Sequence, residues 1–182
     1  MKAIYLTLIA HAATAAQRSG RFPLDSDDVA VTALKPLIAL ENSKVLIGPE
    51  LRAARTAQLL GLTGAVERRL RDCDFGSWAG TSLKYLQQNE PALLQAWLTD
   101  PHFDSHGGES FFEVGRRIAL LLDDLRDPGH LIAVTHPMVV RAAMMHCLQS
   151  TWAAFPHIDV PPLAQLQLSY SGKWRMVISS IG

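Results

Sequence analysis

Apolar and polar positions along the chain change period several times, and each change marks an element. Ala3 to Ile9 is almost continuously apolar, the pattern of a strand covered on both faces. Lys44 to Ile47 and Leu131 to Thr135 repeat that pattern, the former ended by Gly48-Pro49. Between them the period becomes helical. Asp25-Ser26-Asp27-Asp28 is a helix-start signal ahead of Val29 to Leu40, and Leu51 to Leu60 follows the second strand as a helix rich in Ala, Arg and Leu. Thr81 to Gln88 and Pro91 to Leu98 carry apolar residues three to four apart, and a loop runs from Asp100 to Gly108. Glu109 to Leu125 has a broad apolar stripe of Phe112, Val114, Ile118, Leu121, Leu122 and Leu125, closed by Asp127-Pro128-Gly129. Pro137, preset for a first helical turn, opens Met138 to Leu148. Ala164 to Tyr170 and Lys173 to Ile181 then alternate around Ser171-Gly172, a two-residue hairpin signal.

Strands alternating with helices and then a hairpin predict an α/β three-layer sandwich: a mostly parallel central sheet, helices on both faces, and a C-terminal antiparallel hairpin. At 182 residues the chain suits a single domain, 1–182, with a helical cap-like insertion at about 81–106. Lys and Arg total 17, as do Asp and Glu, so no global field favours nucleic acid or an anionic membrane. No apolar run is long enough to span a bilayer and no cleavable leader pattern opens the chain, which predicts a cytoplasmic protein. Cys73 and Cys147 imply neither a disulfide framework nor a thiolate metal cage.

Candidate chemistry begins where strands end. His11 closes the first apolar run and His136 the third, and in a parallel sheet both positions lie on the edge where ligands bind. A neutral imidazole there can attack phosphorus and form a covalent intermediate. His136 also precedes a helix start, where negative charge is favoured. Phosphoryl transfer further asks for a guanidinium, and Arg52, in the first turn after the second strand, is the first candidate, with Arg55 one turn on in support. Thr14 stands in the small-residue loop after His11. His102 and His106 sit in a loop without further ligands, so no metal site is read there. His130, His146 and His157 have no partner pattern, and the four tryptophans read as packing.

Five segments, in order, resemble the successive motifs of the histidine phosphatase (phosphoglycerate mutase-like) superfamily. They are Ile9-Ala10-His11-Ala12-Ala13-Thr14, Gly48 to Ala57, Leu70 to Gly80, Gly107-Gly108-Glu109-Ser110 and Val134-Thr135-His136, together spanning residues 3 to 148. The resemblance implies that His11 is the phosphorylated nucleophile, that Arg52 and His136 bind phosphate, and that Asp72 protonates the leaving group. It implies no cofactor and no metal. Two positions depart from the family pattern. Ala10 and Ala12 stand where arginine and glycine are usual, removing one phosphate clamp, which costs about 1.5–3 kcal/mol. Arg18 or Arg21 is expected to restore the charge, Arg18 being preferred because Gln17 stands where the family often has an asparagine that contacts phosphate. Asp72 replaces the usual glutamate and is one methylene shorter. Glu109 is expected either to touch substrate or simply to favour a helix dipole.

The expected activity is a metal-independent phosphatase that hydrolyses a small phosphomonoester through a phosphohistidine. Mutases of the superfamily carry extra residues between the acidic motif and the second histidine, so hydrolysis is expected over mutation. Ala10 and Asp72 motivate a rival, a weakened or inactive relative that binds phosphate or a phosphorylated ligand. A phosphoprotein phosphatase is the third reading, with a shallow site lacking the cap at 81–106. The expected partner is the small substrate, with no nucleic acid and no membrane, and a homodimer stays open.

Overall fold

A computed structural model describes residues 3–37 and 42–178. Strands β1 (Ile4–Ala10), β2 (Lys44–Ile47), β3 (Ala65–Val66), β4 (Gly129–Thr135), β5 (Gln165–Tyr170) and β6 (Trp174–Val177) form one sheet in the order β3-β2-β4-β1-β5-β6. The first four in this order are mutually parallel; β5 runs antiparallel to β1, and β6 to β5. The hairpin therefore forms one edge of the sheet, as its Ser171-Gly172 turn predicts, and the short strand β3, which the pattern did not show, forms the other. The part of the expected last strand beyond 178 lies outside the described residues.

The α-helices among the described residues are α1 (Ala15–Arg18), α2 (Leu51–Leu59), α3 (Leu83–Asn89), α4 (Pro91–Thr99), α5 (Phe111–Asp124) and α6 (Pro137–Leu148). Side chains alternate across the central strands, so the sheet buries two separate surfaces. Leu6, Leu8, Ala10, Leu131 and Ala133 meet α5 and α6 through Val114, Ile118, Val139 and Ala143. Ile9, Ile47, Ile132 and Val134 meet Ala53 and Ala57 of α2 and Leu60 at its end. Small residues on α2 let that helix approach the sheet closely. The segment at 81–106 joins the first core through aromatic rings, with Trp97 of α4 centred 5.5 Å from Phe22 and 4.9 Å from Phe111.

The helix expected over Val29 to Leu40 does not form in its described part, 29–37, which runs as an irregular segment. Three β-branched residues, Val29, Val31 and Thr32, disfavour the helix, and Pro36 removes a donor, collides with the carbonyl four residues back and pushes Lys35 out of the helical region. The segment is pinned instead by Ala30 N–H donating to Ala13 O (2.7 Å) and Leu37 N–H to Leu60 O (3.0 Å). Residues 38–40 lie outside the described residues.

Parallel register then sets the site. Ala10 pairs with Thr135 and Ile47 with Val134, so β1, β4 and β2 all end at one level. His11 N–H donates to Thr135 O (2.8 Å) and Gly48 N–H to Val134 O (2.9 Å), carrying the ladder one step past each strand.

Candidate active site

His11 and His136 emerge side by side from β1 and β4, with ring centroids 5.3 Å apart and planes at 61°. Both are buried, His11 at 2% exposure and His136 at 0%. His11 Nδ1 lies 2.8 Å from the carbonyl of Ala12. A carbonyl can only accept, so Nδ1 carries the proton and the lone pair resides on Nε2. Burial, with the neighbouring His136 ring next, lowers the His11 pKa from 6.5 to about 4, which keeps the ring neutral at pH 7. The backbone after it is held by α2: Thr56 Oγ accepts from Ala12 N–H (2.9 Å) while donating to Arg52 O (2.7 Å).

Arg52, on the first turn of α2, is 1% exposed and reaches the same place. Its Nη2 donates to Asp72 Oδ2 (2.8 Å) and its Nη1 to Leu24 O (2.8 Å), while Nε has no hydrogen-bond partner. Asp72 follows the short 3-10 turn Arg68–Leu70 and also faces His136 Nδ1 at 3.5 Å. Burial alone would raise its carboxyl pKa; the His136 ring and the Arg52 guanidinium outweigh that and hold it below the ordinary aspartate range. Asp72 is therefore an ionised, paired carboxylate in this form. Cys73 beside it is inert, since burial pushes its thiol well up.

Glu50 escaped the sequence reading. It precedes α2, accepts from Asp72 N–H (3.0 Å) through Oε1, and brings Oε2 to 2.6 Å from His136 Nε2. That second contact lacks the alignment of a hydrogen bond. Burial raises the Glu50 carboxyl, and His136 and the Asp72 N–H more than offset it, leaving the pKa below the usual glutamate value. The place for His136 requires glycine at 48, where a Cβ would lie 2.9 Å from Nε2 and 3.0 Å from Leu70 O. The signal available was the spacing Glu50-Leu51-Arg52, which sets an acid and a base on one helix start at the same sheet edge.

The other expected residues lie elsewhere or do other work. Thr14 is buried, and its Oγ caps α1 by accepting from Gln17 N–H (3.2 Å) while Gln17 Oε1 accepts from Thr14 N–H (3.1 Å). Gln17 is thereby committed to the cap. Arg18 does not supply the missing clamp in this form: it is exposed in the last turn of α1, because the four-residue helix turns its side chain to solvent. Arg21 pairs with Asp27 (2.8 Å) instead of turning inward. Arg55 pairs with Asp28 at the surface. Glu109 is held by Arg71 (2.7 Å) and Arg117 (2.9 Å) and accepts weakly from Asp74 N–H (3.3 Å). It organises the loop that carries Asp72. Arg117 of α5, also missed, completes this by donating to the carbonyls of Arg69, Arg71 and Asp72.

Residues 21–28 lie across the site as a strap. Phe22 N–H donates to Thr81 O and Gly80 N–H to Phe22 O, Leu24 N–H donates to Asp27 Oδ2, and Leu51 N–H to Asp25 O. In front of Arg52 and Asp72 this leaves a cavity of about 460 Å³. Among the described residues, His11, His136 and Asp72 present donor atoms within 4.8 Å of one another, a set able to hold a transition-metal ion. No helix among the described residues is long and apolar enough to cross a membrane.

The sequence profile of the histidine phosphatase superfamily, branch 1, matches residues 6–179. The chain belongs to that superfamily. Among histidine phosphatase relatives, a 6-phosphofructo-2-kinase/fructose-2,6-bisphosphatase of Caenorhabditis elegans is 26% identical over 121 residues, covering 65% of this chain and 26% of the relative. A glucosyl-3-phosphoglycerate phosphatase of Mycobacterium tuberculosis is 32% identical over 73 residues, 40% of this chain and 33% of the relative. The chain thus spans about a third or less of these relatives' lengths. In three dimensions the mycobacterial glucosyl-3-phosphoglycerate phosphatase bound to VO3 superposes with a TM-score of 0.76 at 24% identity, covering 96% of this chain and 97% of that one. A phosphoserine phosphatase of Entamoeba histolytica gives 0.78 at 16% identity over 96% and 95%. These likenesses establish the fold as that of the histidine phosphatases.

Proposed function

We propose that the protein hydrolyses phosphomonoesters without a metal, through a phosphohistidine on His11. One observation carries the reading: the His11 ring is neutral, with its proton fixed on Nδ1 by Ala12 O, so Nε2 offers its lone pair beside Arg52 and His136. Nε2 attacks phosphorus and the bond from phosphorus to the ester oxygen breaks. That oxygen takes a proton and leaves as the alcohol. Water then attacks the phosphohistidine, the N–P bond breaks, and inorganic phosphate leaves. Arg52, and His136 at the start of α6, stabilise charge on the equatorial oxygens.

Asp72 is the proposed proton donor, and substrate itself makes it one. A phosphoryl group that takes Asp72's place on Arg52 removes the partner that keeps the carboxyl ionised and adds negative charge beside it, both of which raise its pKa. The sequence carries Ala10 where a second clamp is usual, and Arg52 is already engaged, which supports a second reading as a phosphate-binding relative with little turnover. An aryl phosphate assay in EDTA decides between them. Wild type is expected to turn over while His11→Ala falls to background and His11→Ala still binds vanadate; equal rates for the two proteins leave only the binding reading.

A further inference from the structure

The cavity in front of Arg52 shows what kind of alcohol leaves. Six charged side chains that line it are Asp25, Glu50, Arg52, Arg71, Asp72 and Asp74. Arg52 is matched by Asp72 at 2.8 Å, and Arg71 shares Glu109 with Arg117, at 2.7 and 2.9 Å. Glu50 faces His136 at 2.6 Å. Asp25 and Asp74 remain: among the described residues neither has an ion-pair partner, and the only side-chain bond at either is Asp74 Oδ1 accepting from Gly76 N–H (2.8 Å). Both are exposed at the mouth, whereas Arg52 is sealed at its inner end with an unpartnered Nε. The cavity is thus polarised: an anion-binding arginine inside, two uncompensated carboxylates outside.

A phosphomonoester entering with its phosphoryl group toward Arg52 and His11 must lay its alcohol portion past Asp25 and Asp74. An anionic alcohol portion is repelled there and a neutral one gains nothing. A cationic one finds two carboxylates to pair with. At about 460 Å³ the space fits a small ester. We infer that the substrates of this site are zwitterionic phosphomonoesters whose leaving alcohol bears an ammonium group, recognised by Asp25 and Asp74. This deepens the proposed phosphatase reading and rests on it for the chemical step.

The test compares three esters of similar size, phosphoethanolamine, glycerol 3-phosphate and 3-phosphoglycerate. Each is measured for kcat/KM on the wild type and, by calorimetry, for Kd on His11→Ala. Phosphoethanolamine is expected to exceed glycerol phosphate by on the order of tenfold in both, with phosphoglycerate weakest, and added salt should shrink the spread. In Asp25→Asn/Asp74→Asn the ratio of cationic to neutral ester should collapse toward one. A wild type that turns over all three without preference, or prefers phosphoglycerate, overturns the inference and leaves the phosphatase reading standing. No turnover with a tenfold Kd preference does the reverse. Equal Kd values in His11→Ala overturn the inference whatever the turnover.

Discussion

Arg117→Ala tests whether the loop bearing Asp72 is held from behind by one side chain. The guanidinium is 9% exposed and makes five bonds, to the carbonyls of Arg69 (2.6 Å), Arg71 (3.0 Å) and Asp72 (3.2 Å) and to both oxygens of Glu109 (3.0 and 2.9 Å). Counting each at about 1.5–3 kcal/mol would assign to one side chain about as much as the whole stability of a typical domain, so the bonds do not add. A better bound is the roughly 3–5 kcal/mol lost when one partner of a buried ion pair is removed. Glu109 would keep Arg71, whose side chain is 42% exposed, and water could reach part of the gap. The expected loss is therefore at the lower end, about 3 kcal/mol. In thermal unfolding that amounts to a drop of roughly 6–12 °C for a chain of this size. Urea titration with an unchanged slope should give the same figure, and Arg117→Lys should recover less than half, since an ammonium cannot fork across three carbonyls. A loss under about 1 kcal/mol, or a lysine variant as stable as wild type, refutes the account.

Two further outcomes follow from the histidines. His11 stays neutral in the fold down to about pH 4, whereas the unfolded chain takes up that proton near 6.5. The unfolded state then binds the extra proton, so stability falls between these values as pH drops, by roughly 3 kcal/mol in all. Glu50 and Asp72, both held low, lose stability from their ordinary values of 4.5 and 3.8 downward, so they overlap the His11 window only at its acid end. Urea midpoints across pH 4–7 should fall more steeply in wild type than in His11→Asn, where His106, also held low by burial, keeps a smaller slope; parallel curves refute it. Zn²⁺ should inhibit in competition with phosphate by gathering His11, His136 and Asp72, EDTA should reverse it, and Mg²⁺ should have no effect. An unchanged rate with Zn²⁺ in excess over protein refutes it.

Much of the framework was readable because it depends on short, one-dimensional signals. Two apolar runs each ending in histidine, and a third ending in Gly48-Pro49, are enough to bring His11, His136 and Arg52 to one edge once the strands run parallel. Pro137 marks its helix start as plainly. The failures have a common physical cause. Asp25 to Asp28 reads locally as a helix start, yet those residues serve the strap: Asp27 holds Arg21 and Leu24 N–H, and Asp28 faces Arg55. Glu50 acts through Asp72 and His136, 22 and 86 positions away, and Arg117 through the carbonyls of Arg69, Arg71 and Asp72, 45 to 48 away, as well as through nearer Glu109, and nothing in their own neighbourhood announces the distant pairings. Arg18 is preferred on the resemblance of Gln17 to a family asparagine, but Gln17 caps α1 and that short helix turns Arg18 outward.

The Leu24 carbonyl on Arg52 has a kinetic consequence. One N–H of each Nη atom is held, by the strap and by Asp72, while Nε is open, so a phosphate that grips the arginine across its two Nη atoms exchanges partners there. The affinity measured for any anion is then its grip on the arginine minus the grip it displaces. Association should level off at high ligand concentration, at the rate with which the strap lets go, and cutting that tether would speed entry while loosening nothing else that the nucleophile needs.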